Sequence, residues 1–372
     1  MIYLDYQATT PVAPEVARAM QPWIEDKFAN PHSPSRWGYE AAAAIEVARK
    51  QVEDAVGLSG GGVAFTGSAT EALNWALKGT IENSRGGRHR VITVATEHAA
   101  VLDTCEWLNG RGAEVTVLPV NRDGLIDLDQ LAELLDDRVA LIAVMLVNNE
   151  IGVTQPISAI AQLAHQHGAL MLCDAVQGFG RIDICEGPDL VAISAHKIHG
   201  PKGIGALWMR TGYEPAPLIH GGGQERGLRS GTLSPALCAG FGAAAKLAQS
   251  RRTSDHDHVE TLWRTALDAL GPDWIINGSM HDRYHGNLNI RRKGLDAARI
   301  LADLRDIAFS LGSACASGSG RPSHVLKAIG LDQPEARASI RLGFGRYTGE
   351  AELAEACKRL TQAALAQEKL HA

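Results

Sequence analysis

At 372 residues the chain exceeds what one compact core usually holds and suits two domains. A formal net charge of −6 gives no electrostatic footprint for nucleic acid or an anionic membrane. The start, Met1-Ile-Tyr-Leu-Asp5, lacks the basic and apolar regions of a signal peptide, and no stretch approaches the roughly 20 apolar residues of a spanning helix. The six cysteines, at 105, 173, 185, 238, 315 and 357, show no C-x-x-C pairing. A soluble, cytoplasmic protein is expected, with neither a zinc site nor a disulfide framework and with most of its thiols inert in the core.

In chain order, apolar runs at 63–66, 91–95, 115–120, 140–147, 170–173, 190–194 and 206–209 are separated by helical patterns such as 68–77 and 157–167. That rhythm predicts an α/β fold with a mostly parallel, seven-stranded sheet covered by helices. The polar run 250–258 reads as a break, and its Asp255-His-Asp-His258 as solvated linker. Beyond it, strands near 274–277, 286–290, 307–311 and 338–342 alternate with helices at 259–270, 295–304 and 350–367, which predicts a smaller α+β domain.

The strand 190–194 ends in Ser194-Ala-His196-Lys197 and runs into glycine-rich backbone up to Gly205. A lysine at the carboxyl edge of a buried strand lies where open α/β sheets place their ligands. Desolvation and a neighbouring cation lower its pKa, and the neutral amine forms a Schiff base with an aldehyde. Ser194 and His196 are donors fit for a phosphate, whereas Lys202, in a Gly-Pro-Lys-Gly turn, suits a solvated role. The strand 169–173 delivers Asp174, a partner for the protonated ring nitrogen of pyridoxal phosphate, with Gln177 near the ring oxygen; an Asp there is also an ordinary helix cap. At Ala69 and Thr70 a helix start offers backbone N–H groups and a hydroxyl to a phosphate, and Ser68 with Glu71 also reads as a capping box. His98 puts a flat ring at a strand-to-helix junction, placed to stack on a cofactor ring. Cys315 stands among small residues from Ser310 to Pro322, in a loop suited to carrying a thiol.

Taken together, Tyr3-Leu-Asp-Tyr-Gln-Ala-Thr-Thr-Pro11, Ala69-Thr70, His98, Asn148-Asn-Glu-Ile-Gly152, Asp174-Ala-Val-Gln177, Ser194-Ala-His-Lys197, Arg229-Ser-Gly-Thr232, Gly312-Ser-Ala-Cys315 and Ser339-Ile-Arg341 resemble the group I cysteine desulfurases of the IscS/NifS type, enzymes of the class V aminotransferase fold. The resemblance runs from Tyr3 to Arg346. It implies a fold type I enzyme with a large domain at 13–250 and a small domain of 1–12 with 251–372 that carries the Cys315 loop. It further implies that Lys197 binds pyridoxal phosphate, Asp174 keeps the ring nitrogen protonated, and His98 stacks on the ring and moves protons. Ala69, Thr70, Ser194 and His196 would hold the phosphate, Gln177 the ring oxygen, and Thr232 the phosphate of the other subunit in a homodimer. Asn149 and Arg341 would bind the carboxylate of L-cysteine. Cys315 would take the sulfur as a persulfide, leaving alanine, and pass it to an acceptor such as an iron–sulfur scaffold. No metal, nucleic acid or membrane enters this scheme. A selenocysteine lyase and a catalytically idle partner-binding relative are the alternatives. Leu311 stands where the family commonly has Ser or Gly, and Gly67-Ser68 reverses the usual order; neither removes a reacting group. The stretch after Arg346 is shorter than the tail with which housekeeping members dock the scaffold, which leaves the acceptor open.

Overall fold

Alternation of apolar runs and helical patterns builds the first two thirds of the chain. The computed structural model describes residues 1–84, 87–312 and 323–371. In chain order the elements are β1 (Ile2–Tyr3), α1 (Pro14–Glu25), α2 (Arg36–Val56), β2 (Gly61–Thr66), α3 (Ala69–Asn83), β3 (Arg90–Val94), α4 (Ala99–Asn109), β4 (Glu114–Leu118), α5 (Leu128–Leu134) and β5 (Val139–Met145). Then come α6 (Ile157–Gln166), β6 (Leu170–Asp174), β7 (Leu190–Ser194), β8 (Gly205–Arg210), α7 (Pro235–Ser250), α8 (Arg252–Leu270), β9 (Ile275–Ile276) and β10 (Asn287–Arg291). The last are α9 (Ala297–Asp303), β11 (Ile307–Ala308), β12 (Ser310–Leu311), α10 (His324–Ala328), α11 (Gln333–Arg337), β13 (Ser339–Gly343) and α12 (Glu350–His371).

The central layer is a seven-stranded sheet in the order β2-β8-β7-β6-β5-β3-β4. Only β8 runs against its neighbours; the other pairings are parallel. Successive side chains of a strand point to opposite faces, and both faces here are covered, so the strands read as unbroken apolar runs. In β7, Val191 and Ile193 pack with Ile45, Ile160 and Phe241 of α2, α6 and α7, while Leu190 and Ala192 pack with Trp75 and Val101 of α3 and α4. Because β8 alone is reversed, the carboxyl ends of β2, β3, β5, β6 and β7 share one edge. The candidate residues gather there.

A second, four-stranded antiparallel sheet, β12-β13-β10-β9, has its own core of Leu288, Ile340 and Leu342 against Leu262, Trp263, Leu353 and Leu360. The N-terminus belongs to this core: Leu4 is buried in it, and β1 pairs in parallel with β11.

Two expectations are corrected here. The polar run 250–258 is not a break, since α8 begins at Arg252 directly after α7. Val259, Leu262, Trp263, Ala266 and Leu270 mark one buried helical face, and the polar turns before them continue the same helix. Asp255 and His258 are structural rather than solvated linker: the first pairs with Arg346 at 2.6 Å and the second contacts the Thr348 carbonyl at 3.0 Å. The expected strand 307–311 is two strands in different sheets, β11 on β1 and β12 on β13, with buried Phe309 at the crossing. Among the described residues no helix is long and apolar enough to cross a membrane.

Candidate active site

The shared strand edge opens on a cavity of about 310 Å³ lined by Ala69, Thr70, His98, Asn149, Asp174, Gln177, Ser194, His196 and Lys197 together with Gln7, Met145 and Lys202. Buried β7 fixes the level of Ser194, and a single 3-10 turn, Ala195–Lys197, carries the lysine out of the sheet. Its Nζ donates to the Ala8 carbonyl at 2.8 Å and to the Gln7 carbonyl. Burial, then the positive charges of Arg181 and Arg341, push the amine down to about 7, against the pull of Asp5 and Asp174. A substantial share of Lys197 is therefore neutral near neutral pH. Lys202 lines the same cavity but is exposed.

His196 is pushed down to about 4 by burial and by repulsion from Lys197, Lys202 and Arg181, so it is a neutral imidazole at neutral pH; its Nδ1 lies 3.2 Å from Thr9 Oγ1. The cap of α3 is closed by Ser68 Oγ, which accepts from the Glu71 amide, and by Glu71, which accepts from the Gly67 amide at 2.8 Å and pairs with Arg229 at 2.7 Å. The Ser68 half of the expected capping box is therefore made, whereas Glu71 reaches the Gly67 amide rather than that of Ser68, and the helix start still lies at the cavity wall. Gly205 lets β8 approach that start, for a Cβ there would lie 2.6 Å from the Ala69 nitrogen. His98 caps α4, its Nδ1 accepting from the Ala100 amide at 3.1 Å, which leaves Nε2 as the proton-bearing side.

Asp174 is buried, and burial pushes its carboxyl up, offset by the Val176 amide, His98 and Lys197. Beside it Glu97 is wholly buried, its Oε1 accepting from the Met145 amide at 2.6 Å and its Oε2 without a partner. Burial first and the Asp174 charge second raise Glu97 well above the carboxylate range. Two close carboxyls do not both ionise, so Glu97 keeps the proton and Asp174 is the available anion.

Two candidate residues are not brought to this wall, and a third is not among the described residues. Arg341, on β13, does not line the cavity; its Nη1 donates to the carbonyl of cavity-lining Asn149 at 2.9 Å, and its Nη2 donates to Asp5 Oδ1 at 2.8 Å and Ser310 Oγ at 2.9 Å. Its Nε is buried without a partner among the described residues. Thr232 is exposed and outside the cavity of its own chain. Cys315 lies outside the described residues. Of the other thiols, Cys105, Cys173, Cys238 and Cys357 are buried with their pKa raised, whereas Cys185 is exposed. Gln177 lines the cavity, but its amide is already engaged, Oε1 accepting from Arg181 at 2.7 Å and Nε2 donating to the Gln7 carbonyl at 2.9 Å, with one N–H left over.

Sequence reasoning assigned no role to Asp5, Gln7, Glu97 or Arg181. Asp5 and Gln7 stand in the opening motif, Glu97 adjoins His98, and Arg181 follows Gln177 by four residues; each signal was present without a partner to give it meaning.

The aminotransferase class-V family model matches residues 2–355. A cysteine desulfurase IscS of Rickettsia bellii is 44% identical over 368 residues, covering 96% of this chain and 89% of the relative. A solved NifS-like protein superposes with a TM-score of 0.90 at 32% identity, covering 97% of this chain and 98% of that one. The structure of SspA in complex with cysteine superposes with a TM-score of 0.84 at 36% identity, covering 94% and 100%. The chain belongs to the aminotransferase class-V family. Within it, the chain falls in the IscS/NifS group of cysteine desulfurases, whose cofactor is pyridoxal phosphate.

The cavity fits that cofactor on its own terms. It offers an amine poised to be neutral, a buried carboxylate without a cation of its own, and a helix start beside hydroxyl and imidazole donors.

Proposed function

We propose that this chain desulfurates L-cysteine, releasing L-alanine and leaving the sulfur as a persulfide on Cys315. The observation that carries this reading is one cavity that brings Lys197 together with the buried carboxyl of Asp174 at the carboxyl ends of adjacent parallel strands, with burial lowering the amine's pKa in support. Bound pyridoxal phosphate supplies an electron sink for the charge left when the substrate Cα loses its proton. Lys197 would hold the cofactor through its amine, and its Nζ would be the group that carries the proton taken from the substrate Cα. Asp174 would hold the ring nitrogen protonated, with neutral Glu97 beside Asp174. Ala69, Thr70, Ser194 and His196 bind the phosphate, and the remaining N–H of Gln177 serves the ring oxygen. His98 covers the ring and presents Nε2. Arg341 takes the substrate carboxylate with Asn149 beside it. The Cys315 thiolate attacks the substrate sulfur; the new S–S bond forms as the substrate C–S bond breaks, and the electron pair left on the substrate carbon takes up a proton to complete the methyl group of alanine.

We assign 13–250 to the cofactor-binding domain and 1–12 with 251–372 to the small domain. We also propose a cytoplasmic homodimer in which Thr232 serves the partner's phosphate site, and a protein acceptor for the persulfide. Exposure of Thr232 outside its own cavity supports the shared site, and exposed Ile24, Phe28, Trp37 and Tyr39 offer apolar surface for a second copy. The test is borohydride reduction of the coloured protein followed by peptide mapping, with Cys315 and alanine measured by mass spectrometry after L-cysteine is added. An adduct on Lys197, sulfur on Cys315 and matching alanine are expected. An adduct on Lys202 or an unmodified Cys315 defeats the reading, and faster turnover of L-selenocysteine moves it to a lyase.

A further inference from the structure

Arg181 enters the site in a way none of these roles uses. Its Nη2 donates to the carbonyl of Lys197 at 2.8 Å and reaches that of Tyr6 at 3.5 Å, while Nη1 donates to Gln177 Oε1 at 2.7 Å. The Gln177 amide held by that bond turns Nε2 to the Gln7 carbonyl, the same oxygen that accepts from Lys197 Nζ. One guanidinium thus grips the lysine's backbone, the neighbouring amide and the N-terminal segment. The Tyr284 ring centroid lies 5.4 Å from its central carbon.

Every acceptor on Arg181 is neutral. Among the described residues no carboxylate comes within 4.0 Å of the Arg181 guanidinium nitrogens, the reach of an ion pair. Three other arginines of low exposure do find acids, Arg49 with Glu225, Arg341 with Asp5 and Arg346 with Asp255, whereas Arg283, like Arg181, is held by neutral carbonyls. Burying a cation without a counterion is costly, and a guanidinium keeps its charge rather than shedding it. The charges bearing on the Lys197 amine are Arg181, Arg341, Asp5 and Asp174; imidazole His196 stands beside it and Lys202 lies on the cavity wall. Arg341 is offset by Asp5, but Arg181 is not offset.

We infer that Arg181 is a positioning residue of the site, an uncompensated cation that keeps the Lys197 amine neutral and ready for the cofactor while fixing the Gln177 amide beside it. In support, Arg181 stands directly after burial among the causes that bring this amine to about 7. The inference rests on the assignment of Lys197 to the cofactor.

The test uses the full chain, stripped of cofactor, with the pH dependence of Lys197 acylation read by peptide mass spectrometry. The visible band of the loaded protein is titrated in parallel. In Arg181→Gln and Arg181→Met the Lys197 midpoint should rise by about one pH unit, a tenfold loss of neutral amine at fixed lower pH. Arg181→Lys restores the charge and should hold the midpoint within about 0.3 unit of wild type. An unmoved midpoint in a cooperatively melting Arg181→Gln protein overturns the inference, as does an equal shift in Arg181→Lys. Failure of both neutral variants to fold assigns Arg181 to stability and overturns it too. A borohydride adduct on another lysine in wild type would instead defeat the Lys197 assignment, and the two failures are told apart by that map.

Discussion

The two sides of the site differ in whether their charges are already satisfied. On the side built from the seven-stranded sheet, Lys197 is pushed toward neutrality and Asp174 is buried with no cation bonded to it. On the side built from β13, β12 and the N-terminal segment, Arg341 is already bonded to Asp5, Ser310 and the Asn149 carbonyl. The first side gains a partner when the cofactor binds. The second must exchange one wherever the substrate carboxylate uses Nη2, because both hydrogens of that nitrogen are committed beforehand, while, among the described residues, Nε and one hydrogen of Nη1 are not. Cofactor binding therefore starts from unspent capacity, and substrate binding from a competition between two carboxylates.

Removing the lysine is the most severe way to break this contrast. Lys197→Ala should lose the borohydride-trapped adduct and all alanine release, while Lys202→Ala keeps the adduct, both read by peptide mapping. Next in size, Cys315→Ala and Cys315→Ser should retain the colour and its spectral response to L-cysteine yet release almost no alanine during turnover with an acceptor. Unimpaired turnover in either would make exposed Cys185 the next thiol to test. On the substrate side, Arg341→Ala leaves a carboxylate without its charged partner, a loss of about 2–5 kcal/mol, seen as a large rise in half-saturation by L-cysteine. Arg341→Lys should recover part of it, since a point charge does not reproduce the fork.

Two smaller effects sharpen the comparison. With Lys197 near 7, the rate at which cofactor-free protein captures pyridoxal phosphate should climb as pH rises through that value and flatten above it, because only the neutral amine adds to the aldehyde. A rate that keeps rising to pH 9 would mean an ordinary lysine. Asp5→Asn keeps a hydrogen-bond acceptor but removes the competing charge, so half-saturation by L-cysteine should fall by about threefold to tenfold, roughly the difference between a charged and a neutral hydrogen bond. A rise instead would show that Asp5 orients Arg341 more than it competes for it.

The sheet side was the legible one. Strands such as 190–194 carry their burial in unbroken apolar runs, and a lysine, an acid or a helix cap at the end of each run is visible without knowing its neighbours. The helix at 252–258 was misread because its apolar face begins only at Val259, and a polar first turn looks like linker. What local pattern does not encode is pairing across long separations. Arg341 meets Asp5 over 336 positions, Gln177 meets the Gln7 carbonyl over 170, and β11 and β12 part company only because β1 claims the former. Arg181 and Glu97 were invisible for a related reason, since their significance is the counterion each lacks.

The pairing of β1 with β11 has a consequence for the order in which the protein is made. Ile2 has no strand partner until Ile307 has been synthesised, and Asp5 none until Gly343, whereas the strands of the seven-stranded sheet are all present once Arg210 emerges. At 5–20 residues per second the first residues wait roughly 15 to 60 s for their anchor. The segment that follows β1 is tied to the sheet side instead, through the Gln177 bond to the Gln7 carbonyl and the Thr10 bond to the His196 carbonyl, so only its leading end waits. The late contact is the one on the substrate side: Asp5 gains both its bridge to Gly343 and its partner Arg341 only when β13 has been made, long after the residues around Lys197.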